Sequence, residues 1–192
     1  MTTAPGGVDG PESEPMDAGS VAAVVGAALR DVPDFPQPGV VFKDITPLLA
    51  DPRAFATVVE AIRARHDGAV DLVAGVEARG FVVGAALAHA LGVGFVPVRK
   101  AGKLPGETVS ISYDLEYGSA EIEVHADAFV GGERVLLVDD VLATGGTATA
   151  AWDLLERTGA EVVAFECIVE LAVLGGRARL GSRPVGALLV VP

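Results

Sequence analysis

A single cysteine, Cys167, stands in the 192 residues. It can close no internal disulfide and cannot build a multi-cysteine zinc site, so a reducing cytoplasm is the expected compartment. Basic residues are also few: 14 Lys and Arg against 26 Asp and Glu give a formal charge of −12. Duplex nucleic acid or another extended polyanion would need clustered cations that this balance does not provide, whereas a small anionic ligand needs only a few placed together. Long apolar runs are missing. The longest early one, Val21–Leu29, falls far short of the roughly 20 residues that span a bilayer, and no basic residue precedes Arg30, so neither a membrane segment nor a secretory leader is expected. The sequence also lacks G-x-x-x-x-G-K-[ST], which excludes a P-loop kinase, and it lacks H-E-x-x-H, G-x-S-x-G and a strand followed by G-x-G-x-x-G. His66, His89 and His125 are scattered without ligand spacing and are assigned structural roles, as is Cys167 on an apolar strand.

What is present reads as one packed α/β domain. Hydrophobic residues make up 51% and charged residues 21% of the chain, aromatics only 5%, and 24 glycines accompany many Ala and Val, a composition of tight turns and closely packed layers. Residues 1–16 (MTTAPGGVDGPESEPM) cannot bury much apolar surface and read as a disordered acidic tail, leaving 17–192 as a single domain. A helix is expected from Asp17 through Arg30, then a loop broken by Pro33, Pro36 and Pro38. Another helix follows from an Asp51 N-cap to about His66. Strands are expected at Asp71–Val76, Phe95–Arg99, Arg134–Val138, Val162–Val169 and Ala187–Val190, with helices at Gly80–Leu91 and Gly146–Thr158. Runs such as LLV and VVAF are apolar at every position, as parallel strands covered on both faces require. Glu107–His125 instead alternates apolar and polar residues around Gly118, the pattern of an antiparallel hairpin. The expected fold is therefore a doubly wound, mainly parallel sheet with helices on both faces and an appended hairpin.

The most informative stretch is RVLLVDDVLATGGTA, Arg134–Ala148. It is a buried strand ending in two carboxylates, then a loop of small residues, then a helix start, at the carboxyl edge of the sheet where open α/β folds bind ligands. Thr144, Gly145, Gly146 and Thr147 can turn amides and hydroxyls toward one point, a nest for a phosphate monoester, with left-handed backbone expected at Gly146. Asp139 and Asp140 are anionic and cannot help hold phosphate, but they accept hydrogen bonds well from vicinal hydroxyls. Phosphate and sugar together imply a ribose 5-phosphate group.

VLLVDDVLATGGTA resembles the phosphoribosyl pyrophosphate signature of type I phosphoribosyltransferases. Three further segments resemble the adenine phosphoribosyltransferases: FPQPGVVFKDITPLL (Phe35–Leu49), GVEARGFVVGAALA (Gly75–Ala88) and VRKAGKLPGETVSISYDLEYG (Val98–Gly118). The resemblance covers roughly Val32 to Leu180. It implies that Ala143, Thr144, Gly145, Gly146 and Thr147 bind the 5-phosphate and that Asp139 and Asp140 hold the ribose hydroxyls. It also implies a turn at Glu77-Ala78-Arg79-Gly80, often with a cis peptide, whose amides and Arg79 side chain grip pyrophosphate. Phe42 would stack on adenine while main-chain groups of Val41 and Lys43 read the base edge, and Leu171 would close the other face. Relatives often carry Arg where Lys43 stands, which leaves a side-chain role for that position in doubt.

Arg99, Lys100 and Lys103 lie in a Gly- and Pro-broken segment suited to a mobile lid over a polyanion. In the resembling family one such cation reaches the neighbouring subunit's pyrophosphate, which implies a homodimer. The implied reaction joins adenine and phosphoribosyl pyrophosphate to give AMP and pyrophosphate. Mg2+ would be carried by the pyrophosphate substrate without a direct protein ligand. Arg79 and Lys103 would serve the leaving group, Glu116 would face the cationic ribose or take the adenine proton, and Tyr117 would help position it. A type I transferase for another purine or for orotate, or a non-catalytic regulator that senses phosphoribosyl pyrophosphate, is the alternative.

Overall fold

The computed structural model describes residues 17–35, 37–114 and 119–192. The expected tail at 1–16, and with it Pro36, Glu116, Tyr117 and Gly118, lies outside the described residues. Asp17 caps α1 (Ala18–Ala28) by accepting the Ser20 N–H at 2.9 Å. The helix stops short of Arg30, which lies instead in β1 (Arg30–Pro33) and pairs antiparallel with β2 (Val41–Asp44). The reason is across the ladder: Arg30 stands opposite Asp44 and donates to its carboxylate at 2.5 Å, while Lys43 donates to Asp31 at 2.7 Å. Thus the proline-broken segment is the turn of a two-stranded ribbon rather than a plain loop. Asp34, at φ 57, closes that turn by accepting the Gly39 N–H at 2.7 Å.

A one-turn helix, α2 (Thr46–Ala50), precedes α3 (Pro52–His66), whose Asp51 cap accepts from the Arg53 and Ala54 amides as expected. There follow β3 (Leu72–Val76), α4 (Arg79–Leu91), β4 (Gly94–Lys100), β5 (Thr108–Asp114), β6 (Ser119–His125), β7 (Arg134–Leu142) and α5 (Gly146–Arg157). The chain closes with β8 (Glu161–Leu171), a 3-10 turn at Ala172–Leu174, α6 (Gly176–Leu180) and β9 (Val185–Val191). The main sheet runs β5-β6-β4-β3-β7-β8-β9, parallel from β4 to β9, with the hairpin joined antiparallel to β4. One apolar core, under α1 to α4, contains Val25, Leu48, Ile62 and Leu87; the other, under α5 and the hairpin, contains Trp152, Leu154 and Phe165. The doubly wound expectation is therefore met.

Two features of this sheet place the site. The chain leaves β3 toward β4 on one side and has β7 on the other, so the order reverses at β3 and opens a crevice at the strands' carboxyl ends. In addition, β7 extends to Leu142, past the two aspartates that were expected to follow it. The 11-residue β8 continues the ladder there, pairing Asp139 with Cys167 and Leu142 with Glu170. Gly80 lets α4 lie close over this edge, since a Cβ on it would stand 2.9 Å from the Val138 carbonyl oxygen. No helix among the described residues is long and apolar enough to cross a membrane.

Candidate functional site

The turn after β3, the end of β7 and the start of α5 meet around a cavity of about 310 Å3, with Arg79, Lys100, Tyr113, Asp139, Asp140 and Thr147 in its wall. The Glu77–Ala78 peptide is cis, as the resemblance implies, and Arg79 follows at the first residue of α4. Its Nε donates to Asp140 Oδ2 at 2.5 Å. Asp140 is only 6% exposed, so this charge-assisted bond gives a buried carboxylate its counter-charge. Asp139 accepts the Asp140 N–H at 2.8 Å. Burial and then the neighbouring Asp140 charge push the Asp139 carboxyl well above the usual carboxylate range. An acidic pair in which one member resists ionising suits hydroxyl groups rather than a second anion.

Next to this pair the loop Ala143–Gly145 leads into α5, whose first turn has no side-chain cap, and encloses a smaller space of about 90 Å3. Uncapped amides at a helix start bind an anion readily. The left-handed residue is Gly145, at φ 78, and not Gly146, which is the first residue of α5. The physical reason lies in the neighbouring turn: a Cβ on Gly145 would stand 2.6 Å from the Gly176 carbonyl oxygen. Gly145 thus admits both the backbone turn and the close approach of α6. Thr147, one residue into the helix, has its hydroxyl 3.1 Å from that of Tyr113.

Tyr113 lines the cavity, whereas the tyrosine the sequence resemblance points to is Tyr117. The signal was present in the alternation of the hairpin. Val109, Ile111 and Tyr113 share one strand face and pack against the α5-side core, which carries the Tyr113 ring toward α5 and its hydroxyl to the cavity.

On the other side of Arg79 lies the ribbon. The Arg79 guanidinium carbon stands 5.3 Å from the centre of the Phe42 ring, and Phe35 meets that ring edge-on at 5.2 Å. Val41 is half exposed, and the Lys43 ammonium is held by Asp31 at 2.7 Å. Leu171 ends β8, partly buried against the α1 to α4 core.

The cations divide. Lys100 lines the main cavity. Arg99 is engaged internally, donating to Glu77 at 3.3 Å and to the Lys103 carbonyl at 2.9 Å. Glu77 also accepts the Lys100 N–H at 3.0 Å, and these contacts, the amide first, hold its carboxyl below the usual range. Lys103 is exposed and is not in the cavity wall. Cys167 is buried, and burial pushes its thiol up, away from any nucleophilic role.

A family model of the phosphoribosyl transferase domain matches residues 45–181. An adenine phosphoribosyltransferase of Kineococcus radiotolerans is 64% identical over 174 residues, spanning 90% of this chain and 94% of that protein. The chain belongs to the adenine phosphoribosyltransferase family. A second member of the family, from Acidothermus cellulolyticus, is 56% identical over 177 residues, covering 92% of this chain and all of that one. Among solved adenine phosphoribosyltransferases, that of Rhodothermus marinus superposes with a TM-score of 0.85 at 48% identity, covering 90% of this chain and 99% of its own. The enzyme of Saccharomyces cerevisiae, solved with an imino-altritol bisphosphate and adenine, has a TM-score of 0.85 at 42% identity, with 89% and 99% covered. The phosphoribosyltransferase match begins after β2, so Phe42 lies ahead of it, while Arg79, the aspartates, the α5 loop and Leu171 fall inside.

Proposed function

We propose that this chain transfers the 5-phosphoribosyl group from phosphoribosyl pyrophosphate to adenine, forming AMP and pyrophosphate in purine salvage. The observation that carries this reading is the Arg79 side chain, shared between the buried Asp140 carboxylate and the Phe42 ring beside an uncapped helix start. It joins a cation for pyrophosphate, acceptors for a sugar and an aromatic face for a base.

In this reading the amides and hydroxyls of Ala143–Thr147 hold the 5-phosphate, and Asp139 and Asp140 accept from the ribose hydroxyls. Glu77, Ala78, Arg99 and Lys100 form the pyrophosphate side with Arg79 and Lys103. The C1–oxygen bond to pyrophosphate breaks and its electron pair leaves with pyrophosphate; N9 of adenine forms the new bond to C1 and loses its proton. Positive charge on the ribose peaks between these events, so fixed groups that meet it there accelerate the step. Glu116 is the residue assigned to that charge or to the adenine proton, with Tyr117 positioning it. Phe42 and Leu171 sandwich the base, and main-chain groups of Val41 and Lys43 read its edge.

Mg2+ favours hard oxygen donors and keeps several waters. The substrate's phosphate oxygens would supply these donors, with no direct ligand from the chain, and the ion would neutralise charge on the departing pyrophosphate. The exposed position of Lys103, away from its own cavity, supports a homodimer in which this residue serves the neighbouring subunit. A cytoplasmic enzyme with one domain over 17–192 and a disordered acidic tail over 1–16 completes the reading.

The test is AMP formation from labelled adenine, with hypoxanthine, guanine and orotate as controls. Adenine should be preferred strongly, because groups set for a 6-amino edge are left mispaired by a carbonyl. Comparable turnover of hypoxanthine would overturn the base assignment.

A further inference from the structure

Glu123 is a buried carboxylate that the chemistry above does not use. It lies on β6, is 4% exposed, and stands opposite Arg99 in the β4–β6 ladder. The Arg99 guanidinium nevertheless turns to Glu77 and to the Lys103 carbonyl. Glu123 takes main chain instead: its Oε1 accepts the N–H groups of Lys103 and Leu104, each at 2.8 Å, and its Oε2 accepts the Thr108 hydroxyl at 3.2 Å. Burial would push this carboxyl up, but the amides of Leu104, Gly102 and Lys103 and the Thr108 hydroxyl outweigh it and hold the group ionised.

The segment is therefore pinned at two points. Glu77 holds the Lys100 amide at 3.0 Å, and Glu123 holds the next turn. A carboxylate beside three cations would ordinarily pair with one of them; here the anion is spent on amides, and among the described residues Lys100 and Lys103 form no ion pair within the chain. We propose that Glu123 is a positioning residue for phosphoribosyl transfer, anchoring the Lys103–Leu104 backbone so that the cations of this segment are presented to the pyrophosphate of the substrate. The inference rests on the reading that Lys103 serves pyrophosphate.

Steady-state kinetics of E123A, K103A and the double variant, in the full-length enzyme, test it. E123A should raise the KM for phosphoribosyl pyrophosphate by about 10- to 100-fold, the loss that a displacement near 1 Å produces in a positioned site. The KM for adenine should stay within about twofold, and E123A should add little in the K103A background. Independent, multiplicative effects of the two substitutions would remove Glu123 from this role while leaving Lys103 in place. An unchanged KM in K103A alone would instead remove Lys103 from the reaction, and the inference with it. E123Q keeps an oxygen that can accept both amides and should stay within about threefold of wild type; a Gln variant as impaired as Ala would overturn anchoring. If E123A fails to fold, E123D replaces it, with the charge kept and the reach shortened by one methylene. Its KM for phosphoribosyl pyrophosphate should rise, and an unchanged value overturns the proposal.

Discussion

Arg79 and Asp140 are 61 residues apart in the chain and meet through a single 2.5 Å hydrogen bond from Nε to Oδ2, which leaves the terminal nitrogens of the guanidinium for other partners. The bond orients the arginine from behind, so that in the proposed reaction Asp140 would act on pyrophosphate through Arg79 as well as on the ribose directly.

R79A should therefore do more than delete a cation. It leaves Asp140 buried without its counter-charge, and a charge-assisted bond of this kind is worth about 1.5–3 kcal/mol, so kcat/KM for phosphoribosyl pyrophosphate should fall by roughly 10- to 100-fold at least. Because pyrophosphate is charged in both ground and transition states, KM and kcat should both suffer. R79K should not restore the rate, since an ammonium cannot donate to Asp140 and span the Phe42 face together. A lysine variant with wild-type kinetics would refute this account.

Asp139 gives a pH dependence. Its carboxyl is raised in the folded protein, by burial and then by Asp140, above the ordinary value near 3.8. The folded state therefore holds this proton where the unfolded chain has released it, and stability from this group is lost as pH rises through the raised value. D139N carries no such proton. Its melting temperature relative to wild type should rise progressively from pH 4 to pH 8, while its affinity for phosphoribosyl pyrophosphate falls. Thermal melts across that range check the sign; a difference that shrinks with rising pH would be contrary.

Gly145 is the intolerant glycine of the loop that opens α5. G145A meets the left-handed backbone at φ 78 and the Gly176 carbonyl together. The conformational part alone is about 1–2 kcal/mol, which lowers the melting temperature by roughly 2–8 °C in a chain of this size. Calorimetry should also show weakened binding of phosphoribosyl pyrophosphate. G146A, on helical backbone, should melt closer to wild type; equal losses at both positions would misplace the strain.

Tyr113 is expected to act through Thr147. When the threonine hydroxyl donates to a phosphate oxygen, the tyrosine hydroxyl can donate to it in turn, a chain in which each bond strengthens the next. Y113F removes a neutral hydrogen bond worth about 0.5–1.5 kcal/mol, so KM for phosphoribosyl pyrophosphate should rise about 2- to 10-fold with kcat and adenine KM little changed. Kinetics indistinguishable from wild type would reduce Tyr113 to a packing residue.

The parallel strands were legible because their residues are apolar at every position, and the α5 loop because its small residues follow a strand and open a helix. The ribbon of β1 and β2 was not. Its strands have four residues each, mostly on the surface, and prolines hide them, so neither periodicity nor composition marks them. The five-residue helices α2 and α6 are too short to show a helical period. The position of the aspartates inside β7 depends on how far β8 continues beside it, which no local pattern records. Arg79, the aspartates and Phe42 were each readable as residue types in place. The contacts of Arg79 with Asp140 and Phe42 were not, because the first depends on the order of strands in the main sheet and the second on where a separate ribbon lies, neither of which is recorded in spacing along the chain.

The ribbon that carries Phe42 shares no ladder with the seven-stranded sheet that carries Asp139 and Asp140. Its register is fixed internally, by Arg30 with Asp44 and by Asp31 with Lys43. In the proposed reading, the face that Phe42 offers the base and the groups that hold the sugar phosphate stand on separate pieces of backbone, so mutation across residues 30–44 can redraw that face without touching a strand pairing of the main sheet.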